Sequence, residues 1–431
     1  MATAAFFTLG CKVNQTETAA LQQLFVEAGY QPVPFDGFAD VYVINTCTVT
    51  QLGDRKSRQM IRRARRANLA AVIVVTGCYA QVSPDDVLKI PEVDLVVGTH
   101  ARDRLPELIE EAKKDRLNCV VPLAEKKSFE ALPIAQTGGR KRAFLKIQEG
   151  CRQFCSYCIV PHARGSIYSR PPEETVMEVK RLAKQGFHEL VLTGVHLGSY
   201  GADLPGEVAL SDLLRQLASL SGIRRIRISS IEPTEITPDL IEVISDNPSI
   251  CRHLHIPLQS GDDLVLRRMN RKYDAAEFFQ LVCWLRSQLP GIALTTDVMV
   301  GFPGETEEQF KHTLGLVEKS AFSRVHVFKY SPREGTPAAA FPEQVTAAQK
   351  EERSRRLIAL GSRLSAAFRR QFIGKTVDVL FEETVGEGKL VGLTEHYVRV
   401  TANAPEAILG EIAAVRVGGE QNDGLYGTTE L

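Results

Sequence analysis

The sequence predicts an α/β protein in three parts: an N-terminal parallel α/β domain, a central six-unit partial (β/α) barrel and a small C-terminal antiparallel β-barrel. Three observations predict it. Short β-branched runs alternate with amphipathic helical stretches up to residue 372, the pattern of strand–helix–strand crossovers in a parallel sheet. That series is broken once by KKSFEALPIAQTGGRKR, a linker-like segment with Gly138 and Gly139 after a proline. Beyond Gly374 the helical period gives way to alternating strands with glycine turns. The expected domains are therefore 1–135, 136–372 and 373–431.

In the first part the strands read AAFFTLG, DVYVINT, AVIVVTG and DLVVGT, and the first three run directly into Cys11, Cys47 and Cys78. The spacing between these cysteines suits one strand plus one crossover helix, a unit of about 30 residues. Parallel neighbours joined in that way bring their carboxyl ends to one sheet edge, where open sheets bind ligands. The second part holds AFLKIQ, ELVLTG, IRRIRISS, HLHIPL, ALTTDVMVG and RVHVFKYS, separated by helices such as EETVMEVKRLAKQG, whose Val176, Val179, Leu182 and Ala183 share a face. Six units fall short of the eight of a closed barrel, so an open barrel with a lateral mouth is expected. A long basic helix leads to KTVDVLFEE, GKLVGLTEHYVRVTA and GEIAAVRV, the strands of the last barrel.

Composition excludes some classes and leaves others open. Hydrophobic residues at 44% and charged residues at 24% match a globular chain rather than a disordered one. Lys+Arg and Asp+Glu are equal at 52 each, so any polyanion-binding surface must come from the distribution of charge. No basic leader precedes an apolar run, and no apolar run approaches the roughly eighteen residues of a membrane helix. A cytoplasmic location and no membrane partner are expected. In that reducing compartment nine cysteines read as metal ligands, catalytic groups or buried apolar residues before they read as disulfides.

The stretch GCRQFCSYC places Cys151, Cys155 and Cys158 in C-x3-C-x2-C spacing on the loop after AFLKIQ. Zinc is the competing reading, but structural zinc takes four ligands, usually from closely paired cysteines. Three thiolates suit an iron–sulfur cubane with one iron open. Buried thiols are common, yet three at the same place in successive units suggest that Cys11, Cys47 and Cys78 hold a second such cluster, while Cys119, Cys251 and Cys283 read as structural.

The C-x3-C-x2-C spacing and the six-unit barrel resemble the radical S-adenosylmethionine superfamily. The whole chain, from GCKVNQTET to the last barrel, resembles its methylthiotransferase family. That resemblance implies two 4Fe-4S clusters with three cysteine ligands each, and two S-adenosylmethionine molecules per turnover, one donating a methyl group and one cleaved to a radical. By position, Cys11, Cys47 and Cys78 would hold the sulfur-bearing cluster, and Cys151, Cys155 and Cys158 the radical-generating one. Strand-end residues Gly194, His196, Ser229, Glu232, His255, Gln259 and Asp297 are the candidates for contact with the cofactor. No catalytic residue beyond the cluster ligands is assigned. An electron donor such as flavodoxin or ferredoxin and a sulfur source are implied partners.

Three substrate types occur in the family: threonylcarbamoyl-adenosine in tRNA, isopentenyl-adenosine in tRNA, and a ribosomal-protein aspartate. GCKVNQTET, INTCTVT, TGVHLGSYG, GCRQFCSYCIVPHARG and FKYSPREGTPA resemble the first; Leu52 and Gly53 depart from its usual run while Arg55, Lys56, Ser57 and Arg58 keep to it. A non-enzymatic alternative is an iron–sulfur redox sensor that binds RNA, which would release no deoxyadenosine. DRKSRQMIRRARR carries seven basic residues against one acid, so Arg55, Lys56, Arg58, Arg62 and Arg63 are candidates for RNA phosphate contact. Arg267, Arg268, Arg271 and Lys272 of RRMNRK would extend that surface. The last barrel resembles a TRAM module, a presumed RNA binder. From Gly374 on it carries four Lys or Arg and ten Asp or Glu, so this barrel is expected either to grip RNA through a restricted patch including Arg399 or chiefly to support the central barrel.

Overall fold

The structure is a computed structural model that describes residues 1–133 and 142–430. Most of the glycine-bearing part of the expected linker, and the boundary between the first two domains, lie outside the described residues.

The N-terminal unit is a parallel sheet of β1 (Thr3–Thr8), β2 (Gln31–Val33), β3 (Val41–Thr46), β4 (Val72–Gly77), β5 (Leu95–Val96) and β6 (Leu117–Asn118), in the order β2-β1-β3-β4-β5-β6. Both central strands, VYVINT and VIVVTG, are buried along their whole length, which is why they read as unbroken β-branched runs. Val41, Val43 and Val74 pack on one face with Leu21 and Phe25, and Tyr42, Ile44, Ile73 and Val75 pack on the other with Ile61 and Ala64. The crossovers carry helices α1 (Lys12–Glu27) and α2 (Gln51–Ala67). Two of the three cysteines directly follow their strands as expected, and Cys11 does not. β1 stops at Thr8, and Cys11 is the N-cap of α1; Cys47 directly follows β3; Cys78 opens the short helix α3 (Cys78–Val82).

The central unit follows the expected order. β7 (Arg142–Glu149), β9 (Glu189–Gly194) and β10 (Arg225–Ile228) form one parallel run, and β11 (His253–His255), β12 (Ala293–Val300) and β13 (Arg324–Lys329) form another. Parallel bridges Ile226↔Ile250 and Ser230↔His255 join the two, giving six strands in sequence order. A two-residue strand, β8 (Tyr168–Ser169), adds antiparallel to the outer edge of β7. Outward-facing Leu190, Leu192, Ile226, Leu254, Leu294 and Val298 form the core with the surrounding helices.

The C-terminal unit closes as β14 (Thr376–Thr384), β15 (Lys389–Thr394), β16 (Arg399–Asn403), β18 (Gly424–Thr429) and β17 (Ile412–Gln421). It differs from the expected all-antiparallel barrel because β16 and β18 pair in parallel. The expected strand GKLVGLTEHYVRVTA is broken by a turn at Glu395–Tyr397, with Tyr397 at φ +63°.

The two flanking units cover different openings of the partial barrel. The N-terminal unit spans the gap between β7 and β13: Lys146 of β7 meets Glu17 of α1 at 3.0 Å, and Arg333, just beyond β13, meets Asp54 of α2 at 2.7 Å. The C-terminal barrel caps the amino end, where Glu189 holds Arg142 (3.0 Å) and Arg227 (2.9 Å) while Arg225 and Arg227 donate to Asp378 O (2.8 Å) and Thr394 O (3.1 Å). Tyr397 lies against this end, its ring 4.1 Å from the Arg227 guanidinium and 4.8 Å from the His253 ring.

One turn is fixed by close approach. Gly150 follows β7 at φ +80°, and a Cβ built there would lie 1.7 Å from Ser166 O. Gly150→Ala is expected to lower stability by more than about 2 kcal/mol, combining left-handed strain with the clash. Gly315→Ala, whose methyl meets nothing within 4 Å, is expected to be neutral or stabilising in the same thermal melt.

Candidate active site

The first cysteine trio is built by the ends of β1, β3 and β4. Asn14, buried in the first turn of α1, donates from Nδ2 to Leu9 O (2.8 Å) and Thr46 O (2.9 Å), tying two strand ends together. Thr46 Oγ1 donates to Thr76 O at 2.6 Å and ties in the third. Gly10 at φ +103° lets Cys47 approach, since a Cβ there would sit 2.9 Å from Cys47 Sγ. Burial pushes the Cys47 thiol up to about 11, with Cys78 and Cys11 adding to the effect. Burial also raises Cys78, and Arg164 opposes the rise by donating from Nε to its Sγ at 3.3 Å.

The second trio occupies the loop after β7. Cys151 N donates to Gly165 O (3.0 Å), Ser156 N to Met269 O (3.0 Å) and Cys158 N to Cys155 O (2.9 Å), so the loop is held at three points. Burial pushes Cys158 up to about 12. Burial raises Cys155 too, against the Arg271 guanidinium, which donates from Nη1 to its Sγ at 3.3 Å. Each trio thus has one buried sulfur hydrogen-bonded by a buried arginine.

The dipeptide Arg164-Gly165 touches both trios, through the Arg164 side chain to Cys78 and the Gly165 carbonyl to Cys151. Arg164 also donates to Asn14 Oδ1 (2.7 Å) and to Glu17 Oε2 (3.0 Å), and lies 3.2 Å from Glu149 Oε1. Glu17 receives Arg102 at 2.8 Å and Lys146 at 3.0 Å, and Glu149 receives Lys126 at 2.9 Å. Burial alone would raise both carboxyls, but Arg102, Arg164 and Lys146 around Glu17, and Lys146, Lys126 and Arg164 around Glu149, hold them well below the usual carboxylate range. No motif marked Glu17 as chemical, because its partners lie up to 147 residues away; its place in GCKVNQTET was the signal.

The strand-end candidates divide into three groups. Gly194 packs on Gln148, whose Oε1 accepts from His196 N at 2.7 Å and whose Nε2 donates to Gly150 O at 2.8 Å, so Gln148, which the motifs did not mark, joins the cysteine loop to the turn after β9. His196 lies beside Cys151 with Nε2 3.0 Å from Glu235 Oε1. Ser229 is buried with its Oγ unpartnered among the described residues, and Glu232 is taken by Arg271. Gln259, at φ +63°, donates its backbone N–H to Asp297 O at 2.9 Å. His255 and Asp297 sit deeper, on the inner wall: His255 Nε2 is 3.2 Å from Asp297 Oδ1, and its Nδ1 is 2.9 Å from Thr295 Oγ1.

Basic residues sort just as unevenly. Arg55 and Lys56 lie on the exposed face of α2 with Arg66, while Arg62 and Arg63 are exposed but pair with Glu92 (4.0 Å) and Asp36 (2.6 Å). Arg58 donates to Tyr79 Oη at 3.1 Å. Arg65 is structural, bridging Asp94 and the carbonyls of Leu69, Ala71 and Glu92. Arg271 is not surface charge as expected but buried against Cys155 and Glu232. Arg399 is exposed on the C-terminal barrel, and Cys283, expected to be structural, is exposed.

The donor sets fit iron–sulfur clusters. All six thiols are free, and each trio offers three sulfur donors, the kind of donor an iron–sulfur cluster takes.

Two outcomes follow from this geometry. Because Cys47 and Cys158 are neutral at pH 7, ligation must displace their protons; iron uptake in anaerobic reconstitution is expected to be slower at pH 6.5 than at pH 8.5, and equal rates would contradict this. Arg164→Met is expected to destabilise the chain by about 3 kcal/mol in denaturant titration by leaving Glu17 and Glu149 short of a buried cation. Arg62→Met, removing an exposed contact, is expected to change stability by less than about 1 kcal/mol.

The profile of the Radical SAM superfamily matches residues 145–317, and that of an Uncharacterized protein family, UPF0004, matches residues 3–98. The chain is 46% identical, over 99% of its own length and 96% of the relative's, to a protein of Bacillus subtilis named threonylcarbamoyladenosine tRNA methylthiotransferase MtaB. It is 38% identical to a Thermotoga maritima protein of the same name, with 99% and 96% covered. It is also 38% identical to a tRNA-2-methylthio-N(6)-dimethylallyladenosine synthase of Moorella thermoacetica, with 95% and 94% covered. Among solved structures, the radical S-adenosylmethionine methyltransferase TsrM from Kitasatospora setae, with cobalamin and a 4Fe-4S cluster bound, matches at TM-score 0.57 and 15% identity over 78% of this chain and 77% of that one, a likeness of fold. With two cysteine trios linked through Arg164-Gly165, a six-strand open barrel and relatives of this identity along its whole length, the chain belongs to the methylthiotransferase family of radical S-adenosylmethionine enzymes.

Proposed function

We propose that the chain converts N6-threonylcarbamoyladenosine next to the tRNA anticodon into its 2-methylthio form. The observation that carries the reading is the pairing of two thiol trios across Arg164-Gly165, in a chain whose relatives with the highest identity bear that activity in their names. Dimethylallyladenosine is the second reading, supported by relatives of lower identity than the Bacillus protein.

In this reading Cys11, Cys47 and Cys78 hold one 4Fe-4S cluster and Cys151, Cys155 and Cys158 the other, with two S-adenosylmethionine molecules used per turnover. The first cluster would supply the iron that carries the transferred sulfur, and the second the electron that cleaves S-adenosylmethionine. Arg164 and Arg271 each donate to one buried sulfur, Cys78 and Cys155, which favours its deprotonated, ligating form. The unpartnered Ser229 Oγ, at the carboxyl end of β10, is a buried hydroxyl suited to a polar group of the cofactor. Gln148 fixes the backbone beside Gly194, and the two flanking units cover two openings of the barrel. Exposed Arg55, Lys56 and Arg66 on α2 are the favoured phosphate contacts. An external electron donor and a sulfur source complete the cycle.

Nucleoside mass spectrometry of tRNA from cells lacking the gene is expected to show the threonylcarbamoyl nucleoside accumulating and its methylthio form absent. Loss of the dimethylallyl methylthio nucleoside instead would favour the second reading. Anaerobically reconstituted protein is expected to hold about eight irons, falling to about four in Cys11→Ala and in Cys155→Ala. A wild-type value near four would contradict the two-cluster assignment.

A further inference from the structure

The inner wall of the partial barrel carries charge that neither trio uses. In-register pairing places His255 opposite Thr295, Thr295 opposite Arg324, and Asp297 opposite His326. These side chains share one face, because the alternate residues Val325 and Val327 pack outward on the helical core. Part of the wall is satisfied internally. Thr295 Oγ1 lies 3.2 Å from His253 Nε2 and 2.9 Å from His255 Nδ1, and His255 Nε2 engages Asp297 at 3.2 Å.

Three groups are left over, two of them on this wall and one, Lys12, at the start of α1. Arg324 is exposed, and His326 is half-buried with its ring 5.7 Å from that of His255. Lys12, the residue after Cys11, is exposed and reaches 5.3 Å from the centre of the Tyr397 ring, at the amino end of the barrel where Tyr397 also packs on His253. Among the described residues none of these three side chains has a hydrogen bond or ion pair, whereas Arg227 and Arg142 nearby both pair with Glu189, and Arg142 pairs with Glu382 as well. Asp297 is the acid on this wall, and His255 occupies it.

We propose that Lys12, Arg324 and His326 seat the carboxylate of the N6-threonylcarbamoyl group, and so set the choice of an acidic over an apolar N6 substituent. This rests on the substrate reading above. Two unpaired cations beside an imidazole suit a carboxylate through charge-assisted hydrogen bonds. A dimethylallyl group would desolvate the same cations with nothing in return. Phosphate is the poorer fit, because the wall faces the barrel interior under the N-terminal unit, while the exposed arginines of α2 face outward. Lys12 also links this seat to the first trio, as the residue that follows Cys11.

The test uses the full-length, cluster-loaded chain and three synthetic anticodon stem-loop RNAs. One carries threonylcarbamoyladenosine, one its carboxamide analogue with the carboxylate neutralised, and one unmodified adenosine. Binding is read by fluorescence anisotropy, with iron content measured for every variant. Wild type is expected to bind the acidic RNA about tenfold or more tighter than the other two. Lys12→Gln and Arg324→Gln are expected to weaken binding of the acidic RNA by about fivefold to tenfold, leave the other two unchanged, and so erase the preference; Lys12→Arg is expected to keep it. Variants that retain the wild-type preference would overturn the seat while leaving the substrate reading intact. Variants that weaken all three RNAs equally would make these residues phosphate contacts and also overturn it. A wild type with no preference for the acidic RNA would overturn the substrate reading itself.

Discussion

A buried charge cluster is the constraint on which the arrangement depends. Glu17 and Glu149 are enclosed by Arg102, Arg164, Lys146 and Lys126, with almost no solvent access to either carboxylate. Charges so placed are tolerated only when each finds its partners, and separation of the units would leave several unpaired at once. The N-terminal unit and the partial barrel therefore have one favourable register. In that register the Arg164 side chain and the Gly165 carbonyl reach a cysteine of each trio.

The rest of the geometry follows from strand ends. Parallel sheets put their carboxyl edges where ligands bind, and here two such edges face each other. The N-terminal unit covers the lateral gap of the barrel, tied by Lys146 on one side and Arg333 on the other. The C-terminal barrel stops the amino end through the Glu189 cluster and Tyr397. The open six-strand barrel is thereby covered on its lateral and amino sides, with polar side chains along β11 to β13 on its inner wall. The acidic C-terminal barrel is held there by Arg225 and Arg227, and Arg399 is exposed on β16.

Much of this was legible in the sequence, for physical reasons that also set the limits. VYVINT and VIVVTG are buried on both faces, so their composition alone declares them central strands. The six barrel strands each precede an amphipathic helix, and their order survives unchanged. The strands β2, β5, β6 and β8 are two or three residues long, too short to carry a period; only β5 showed, through its longer apolar surroundings DLVVGT. The parallel closure between β16 and β18 depends on long-range pairing that alternation does not encode. Charge misled wherever a cation turned inward: Arg271 and Arg65 look like surface residues in a basic run, yet one holds Cys155 and the other caps carbonyls. Glu17 and Arg164 stand in recognisable motifs and Gln148 ends the strand AFLKIQ, but their roles come from partners distant in the chain.

The central claim, that buried charge holds two cysteine trios face to face, is tested most directly by pulsed dipolar electron paramagnetic resonance on the reduced, cluster-loaded chain. The account predicts two paramagnetic centres at one narrow separation in wild type, and a broadened distribution in Glu17→Gln. A single centre, or two centres at a separation that is already broad in wild type, would contradict it.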